Sequence, residues 1–262
     1  MRILKLFPMK DYPLRYNYHV NYGIWDRIDG DAANMEAFDV DLDEYDIIFL
    51  PMFSRWTCGH ADLLDRIKSH KIRKVLFDND SCFASFEDGF YEGMDYIFYR
   101  CLDKHGNRPQ CDSSHLLWSV NHERMTPVYG GEGVSFASSL IGYGFRKEIA
   151  ERVYHKRITG KDYIKHLQSS AAAIHTNSKA SEVTRAKVLE FAACGTQIIS
   201  NRTPDMGLYF PDELITYFDT IDELVDIVAS FEADTSIQKR LREIVEDNHT
   251  DKIRANQILN EL

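Results

Sequence analysis

The feature that most constrains this chain is an alternation of short apolar runs with stretches of helical period. "RILKLF", "YDIIFLPMF", "IRKVLFDND", "MDYIFYRC" and "SHLLWSV" read as strands in the first half, and "VSFASSL", "AAAIHT", "TQIIS" and "LITYFD" in the second. Runs that are apolar throughout bury both faces of a strand. Such strands occur in parallel sheets, whose crossovers are helices. Between them, "GHADLLDRIKSH" places Leu63, Leu64 and Ile67 on one helical face. "FRKEIAERVYH", "GKDYIKHLQSS", "SEVTRAKVLEFAAC" and "TIDELVDIVASF" follow as helices, the last opening at Thr220 as N-cap. "TSIQKRLREIVEDN" and "HTDKIRANQILNEL" close the sequence as two more. The aromatic, polar stretch "DYPLRYNYHVNYGIWDRIDGDAANM" has no clean period and reads as a long loop with a helical piece near Tyr16 to Arg27. The expected class is α/β.

The alternation breaks once, at "NHERMTPVYGGEG", which carries Pro127, Gly130, Gly131 and Gly133. Pro and Gly in that density mark a joint. The expected architecture is a compact pair of Rossmann-like domains, residues 1–125 and 126–262, with parallel sheets facing a cleft. In open sheets of this kind ligands sit beyond the carboxyl ends of the strands, so site residues should follow strands or open helices.

Composition excludes several classes. Asp and Glu outnumber Lys and Arg by 41 to 31, and the net charge of −10 disfavours broad adhesion to nucleic acid or anionic lipid. No apolar run approaches the ~20 residues of a membrane span, and charge and Pro interrupt "MRILKLFPMKDYPL" as a signal peptide. Cys58, Cys82, Cys101, Cys111 and Cys194 show no C-x-x-C spacing, which predicts reduced thiols and a cytoplasmic setting. The histidines show no H-E-x-x-H spacing, so no metal is expected.

The densest chemistry lies in "HTNSKASEVTRAKVLEFAACGTQIISNRTPDM", residues 175–206. After strand "AAAIHT", Ser181 is the expected N-cap of a helix with Glu182 in its first turn. The amides of residues 182–184 would then face an anion, beside the charges of Arg185 and Lys187. Glu190 shares a face with Lys187, where its carboxylate could accept two hydroxyls of a ribose. Gly195 is the expected helix terminator. The plain alternative is a solvated charged face with a Lys187–Glu190 ion pair.

"KVLEFAACGTQIIS" resembles the donor-binding segment of glycosyltransferases with the two-Rossmann GT-B fold, and is most similar to group-1 and CgeB-like (spore-maturation) members. Glu182 and Glu190 also match a Glu-x7-Glu signature of many retaining members. "NRTPDMGLYFPDELITYFDTIDELVDIVASF" is similar to the family's next segments, and "VSFASSLIGYGFRKEIAERV" to the first strand and helix of its second domain. The resemblance implies that residues 126–262 bind a nucleotide sugar, with a UDP-sugar expected, and that residues 1–125 face the acceptor. Glu190 would hold the ribose. Arg146 or Lys147, and Arg185 or Lys187, would neutralise the diphosphate, with Thr184 and nearby amides on the β-phosphate. Glu182 would sit by the donor sugar, although Val183-Thr184-Arg185 departs from the family's usual Gly-containing continuation. No cofactor is implied besides the nucleotide-sugar co-substrate.

"VLFDNDSCF" ends a strand with Asp78 and Asp80, and Asp80, with Asp78 next, is the expected base for an acceptor hydroxyl. Both also suit a turn. Trp56 and Phe53 are candidate stacking groups, His19 a weaker candidate base, and His122 a hinge or nucleotide contact ranked below it. The "GYGF" at Gly142 to Phe145 would lend flexible backbone near the phosphates. The reading is a metal-independent glycosyltransferase acting on a glycan or other hydroxyl. The alternatives are a nucleotide-sugar epimerase or hydrolase, a non-catalytic nucleotide-sugar-binding module and, as a minor option, a phage-type DNA glucosyltransferase. The Glu182–Glu190 spacing favours retention of anomeric configuration, and an Asp80 base would give inversion.

Overall fold

The computed structural model describes residues 1–7, 20–51, 61–78, 92–99, 111–138, 140, 144–158, 161–177 and 184–262. The side chains of residues 20–22, 51, 78 and 161 also lie outside the described set. The chain forms two compact units, Met1–Leu117 and Trp118–Leu262.

The first unit holds a six-stranded parallel sheet, ordered β2-β1-β3-β4-β5-β6. Its strands are β1 (Ile3–Phe7), β2 (Asp31–Asn34), β3 (Ile47–Pro51), β4 (Arg73–Asp78), β5 (Tyr96–Tyr99) and β6 (Asp112–His115). Its helices are α1 (Val20–Asp26) and α2 (Ala61–Ser69). Side chains alternate across a strand, and here the alternation sorts by shape. Leu4, Leu6, Ile48, Leu50, Leu76 and Ile97 form an aliphatic face with Ile67 of α2. Phe49, Phe77 and Phe98 point the other way. Phe77 contacts Trp25 of α1 with ring centroids 5.7 Å apart, Phe49 at 5.3 Å and Phe98 at 5.3 Å.

Two strands depart from the sequence reading. β2, "DAAN", falls in the stretch expected to be loop. It lies at the sheet edge with β1 as its one neighbour, where apolar alternation is not required. The last strand was expected over "SHLLWSV" but spans Asp112–His115, paired with Tyr96–Tyr99. The more apolar residues that follow leave the sheet. Trp118 belongs to the second unit, where its indole Nε1 donates to Thr184 O at 3.1 Å.

The second unit has a four-stranded parallel sheet, ordered β10-β9-β8-β7: β7 (Val134–Ser135), β8 (Ala172–His175), β9 (Gln197–Asn201) and β10 (Ile215–Phe218). Its helices are α3 (Gly144–Ala150), α4 (Lys161–Gln168), α5 (Lys187–Ala193), α6 (Ile221–Ser230), α7 (Thr235–Asn248) and α8 (Asp251–Glu261). Ala172, Ile174, Ile199 and Phe218 bury one face against Ile149 of α3 and Leu224 of α6. α6 opens as expected: Thr220 Oγ1 accepts from Glu223 N at 3.1 Å. α5 ends as expected before Gly195, whose φ of +79° favours glycine. A Cβ there would also meet Val128 O at 2.7 Å.

The start of α5 differs from expectation. The expected N-cap, Ser181, lies outside the described residues, but residues 184 and 185 are not helical and the helix opens at Lys187, with no side-chain cap at Ala186. Thr184 donates its amide and its hydroxyl to Asp205 Oδ1, each at 2.7 Å. Arg185 donates its amide to His175 Nε2 at 3.3 Å. These side-chain acceptors compete with helical hydrogen bonding and hold residues 184–185 outside the helix. Among the described residues no helix is long and apolar enough to cross a membrane.

Candidate functional site

The carboxyl end of β8 gathers the charged groups of the second unit around His175. This imidazole is 2% exposed. Its Nδ1 meets Ser200 Oγ at 2.9 Å, and its Nε2 accepts from Arg185 N. Ser200 Oγ donates to Asn201 O at 2.8 Å, so Nδ1 carries the proton and the ring is neutral. Burial pushes His175 down to about 3, and the charges of Arg146, Lys187 and Arg185 push in the same direction. Three cations therefore act on one ring.

Each cation reaches this place by a different route. Arg146, on α3, donates Nε to Thr176 Oγ1 at 2.9 Å and Nη2 to Thr176 O at 2.8 Å. Lys147, next to it, is exposed. The structure thus separates two residues that the sequence left equivalent. Arg185 is anchored by its own backbone on His175. Lys187, the first residue of α5, donates Nζ to Ala137 O at 2.9 Å and lies 5.6 Å from the centroid of the Tyr163 ring. Burial lowers the Lys187 ammonium, Arg146 adds to that, and Glu190 opposes it.

Glu190 is one turn along α5 from Lys187. Tyr163 of α4 donates its hydroxyl to Glu190 Oε2 at 3.1 Å. Burial raises the Glu190 carboxyl, while Lys187 and the Tyr163 hydrogen bond pull it back. Tyr163 itself is held well above its ordinary value by burial and by Glu190, so it stays a donor. One oxygen of the Glu190 carboxylate is thus oriented by a phenol.

Thr184 has a different place from the one expected. It is fully buried, and its amide and hydroxyl are committed to Asp205, with Thr203 Oγ1 at 2.6 Å from its own Oγ1. It shapes the segment that carries Arg185, and its amide is not open to a phosphate. Asp78 closes β4 opposite Tyr99, with its side chain outside the described residues. Asp80, Glu182, His19, Phe53, Trp56, Gly142 and Tyr143 lie outside them altogether. Gly144 and Phe145 open α3. His122 opens a short turn whose carbonyl accepts from Arg242 at 3.2 Å. Among the described residues no group of three or more His, Cys, Asp or Glu side chains could hold a metal ion.

Sequence reasoning missed His175, Tyr163, Asn177 and Asp205. His175 stood in "AAAIHT" as part of a strand. The available signal was a polar residue at the carboxyl end of a buried run, followed by Thr176 and Asn177. Asn177 is 6% exposed, its amide donates to Asn201 Oδ1 at 3.0 Å, and its side-chain Oδ1 and Nδ2 have no partner among the described residues. A buried polar group left unsatisfied costs about 1–3 kcal/mol.

The second of two open parallel sheets carries a cationic cluster at its carboxyl edge, the edge beyond which ligands sit in open α/β sheets. Residues 122–260 match the model of the glycosyl transferase-like family. The match spans more than half of the sequence, and the chain belongs to that family. No curated protein matches in sequence. Among solved structures the chain is similar to Anabaena HepE in complex with UDP, at 10% identity and a TM-score of 0.68, covering 100% of this chain and 99% of that one. It is similar to T4 phage beta-glucosyltransferase at 10% identity and 0.63, covering 100% and 99%. It is also similar to sucrose-phosphate synthase from Thermosynechococcus elongatus at 11% identity and 0.55, covering 83% and 73%. The fold is the expected pair of Rossmann-like α/β units of the GT-B class.

Proposed function

We propose that the chain transfers a sugar, a hexose, from a nucleotide-sugar donor, a UDP-sugar, to an acceptor hydroxyl without a metal ion. The observation that carries this reading is the convergence of Arg146, Arg185 and Lys187 on neutral His175, with Glu190 on the same helix as Lys187. Among the described residues, three cations stand against two carboxylates, Glu190 and Asp205, and leave a net positive site. The diphosphate gains negative charge as the glycosidic bond breaks, and fixed cations stabilise that charge in the transition state. Because His175 is neutral and accepts the Arg185 amide, it positions a cation without adding a charge of its own. Glu190, oriented by Tyr163, accepts the ribose hydroxyls. The complexes of HepE with UDP and with UDP-glucose support the choice of uridine nucleotide. The net charge of −10 favours a glycan or other hydroxyl acceptor over nucleic acid.

Calorimetric titration with UDP and with inorganic pyrophosphate tests these assignments. Lys187→Met is expected to weaken UDP by about tenfold to hundredfold, the range for one charge-assisted hydrogen bond. Glu190→Ala should weaken UDP while leaving pyrophosphate unchanged, because pyrophosphate has no ribose. A wild-type protein that takes up no UDP would sink the reading. Turnover of UDP-glucose without an acceptor would replace transfer by hydrolysis or epimerisation, and binding without turnover would leave a binding module.

A further inference from the structure

Asn177 is the one residue at the carboxyl edge of the second sheet whose side chain is buried with neither amide atom engaged, among the described residues there. Its backbone is fixed on both sides. Arg146 clamps Thr176 through two hydrogen bonds, and Asn201 Oδ1 holds the Asn177 amide. The backbone that carries the carboxamide is therefore held in place, one residue from the group that anchors Arg146. Native folds seldom bury both a donor and an acceptor without partners. Where they do, a ligand or a bound water accounts for it.

The chemistry of the missing partner follows from the carboxamide itself. It offers an acceptor at Oδ1 and two donors at Nδ2. A phosphate oxygen only accepts, so it would engage Nδ2 and repel Oδ1. A sugar hydroxyl both donates and accepts, and one hydroxyl, or a vicinal pair, satisfies both atoms. The phosphates already have Arg146, Arg185 and Lys187, and the ribose has Glu190. We propose that Asn177 reads a hydroxyl of the transferred sugar and so sets which nucleotide sugar is accepted. This rests on the donor-site reading above.

The test uses the full chain and four probes: UDP, UDP-glucose, UDP-galactose and UDP-N-acetylglucosamine. Asn177→Leu keeps the volume and removes the polar atoms. It is expected to weaken the best-bound UDP-sugar by about tenfold to hundredfold and to leave UDP itself within about twofold of wild type. The melting temperature of the free protein should hold or rise, because no intramolecular bond is lost. Should the leucine variant fail to fold, Asn177→Ser is read by the same ratio of UDP-sugar to UDP affinity. The inference is overturned if the variant weakens UDP and the UDP-sugar by the same factor, which would make Asn177 a nucleotide contact. It is overturned if the variant weakens neither, whether or not stability falls, which would make it a water-linked structural group. It is also overturned if the wild type binds UDP but no sugar-bearing form. A wild type that does not bind UDP is a different failure: it removes the donor site, and this assignment with it.

Discussion

The two parallel sheets have similar topology, but they differ in what they bury. In the first unit the interior is hydrocarbon and aromatic ring, and Lys74 is the sole buried polar side chain among its described residues. Even Lys74 is fully engaged, with its ammonium on His70 O and Ile72 O at 2.8 Å each. In the second unit His175, Thr176, Asn177, Thr184, Ser200 and Asp205 are all buried within the two strand ends of β8 and β9 and the segments that follow them. Burying polar groups costs free energy unless each finds a partner, and six of the second unit's buried polar groups lie at these strand ends. The opposite, apolar face of the same sheet packs against Ile149 and Leu224. Among the described residues, the second sheet carries these buried polar groups at the strand ends beyond which ligands bind in open sheets.

The strongest way to break this contrast is to weaken the first interior and watch the second. Phe77 touches three aromatic rings, Trp25, Phe49 and Phe98. Phe77→Ala should cost about 3–5 kcal/mol by leaving a cavity. In urea denaturation followed by fluorescence, the loss is expected in the transition of the first unit. UDP affinity at low temperature should be unchanged. A parallel collapse of UDP affinity would show that the donor site depends on the first interior, contrary to the division drawn here.

The same contrast explains what could be read from the sequence. The apolar strands of both sheets, the Thr220 cap and the Gly195 terminator were legible because hydrophobic period and turn chemistry are local signals. Arg146, Arg185, Lys187 and Glu190 were legible as charges with helical or family-like spacing. Their anchors were not. That Asp205 would take the Thr184 amide, and His175 the Arg185 amide, depends on pairs separated by |i−j| of 21 and 10, brought together by the strand order. No local pattern encodes such pairs, so the helix was expected five residues too early (N-cap Ser181 against Ala186). β2 was missed for a related reason, since an edge strand makes its case through one neighbour rather than through its own composition.

Acid should sharpen the comparison. The second unit carries His175, held down to about 3, and His249, held down to about 4 by burial and the adjacent Arg254. An unfolded histidine titrates near 6.5. Below that value the unfolded chain takes up protons that the folded one refuses, so the stability these neutral rings allow is present above pH 6.5 and falls as pH drops toward 3 to 4. At pH 5 each ring should cost about 2 kcal/mol. Hydrogen exchange at pH 7 and pH 5 is expected to show the second unit opening first, and His175→Gln should flatten its slope with pH. A slope left intact by that substitution would place the proton uptake elsewhere.

The smallest effect serves as the control for the others. Thr220 caps α6, which packs on the apolar face of the second sheet, and its hydroxyl accepts from Glu223 N. Thr220→Ala removes one capping hydrogen bond and should lower the stability of the second unit by about 1 kcal/mol. Its UDP affinity should match that of wild type, because destabilisation of this size leaves nearly all molecules folded. If the two move together, loss of binding in Lys187→Met could arise from a loosened sheet as well as from a lost charge. If they separate, stability and binding are distinct properties of one small sheet. The cations can then be credited with the affinity they remove.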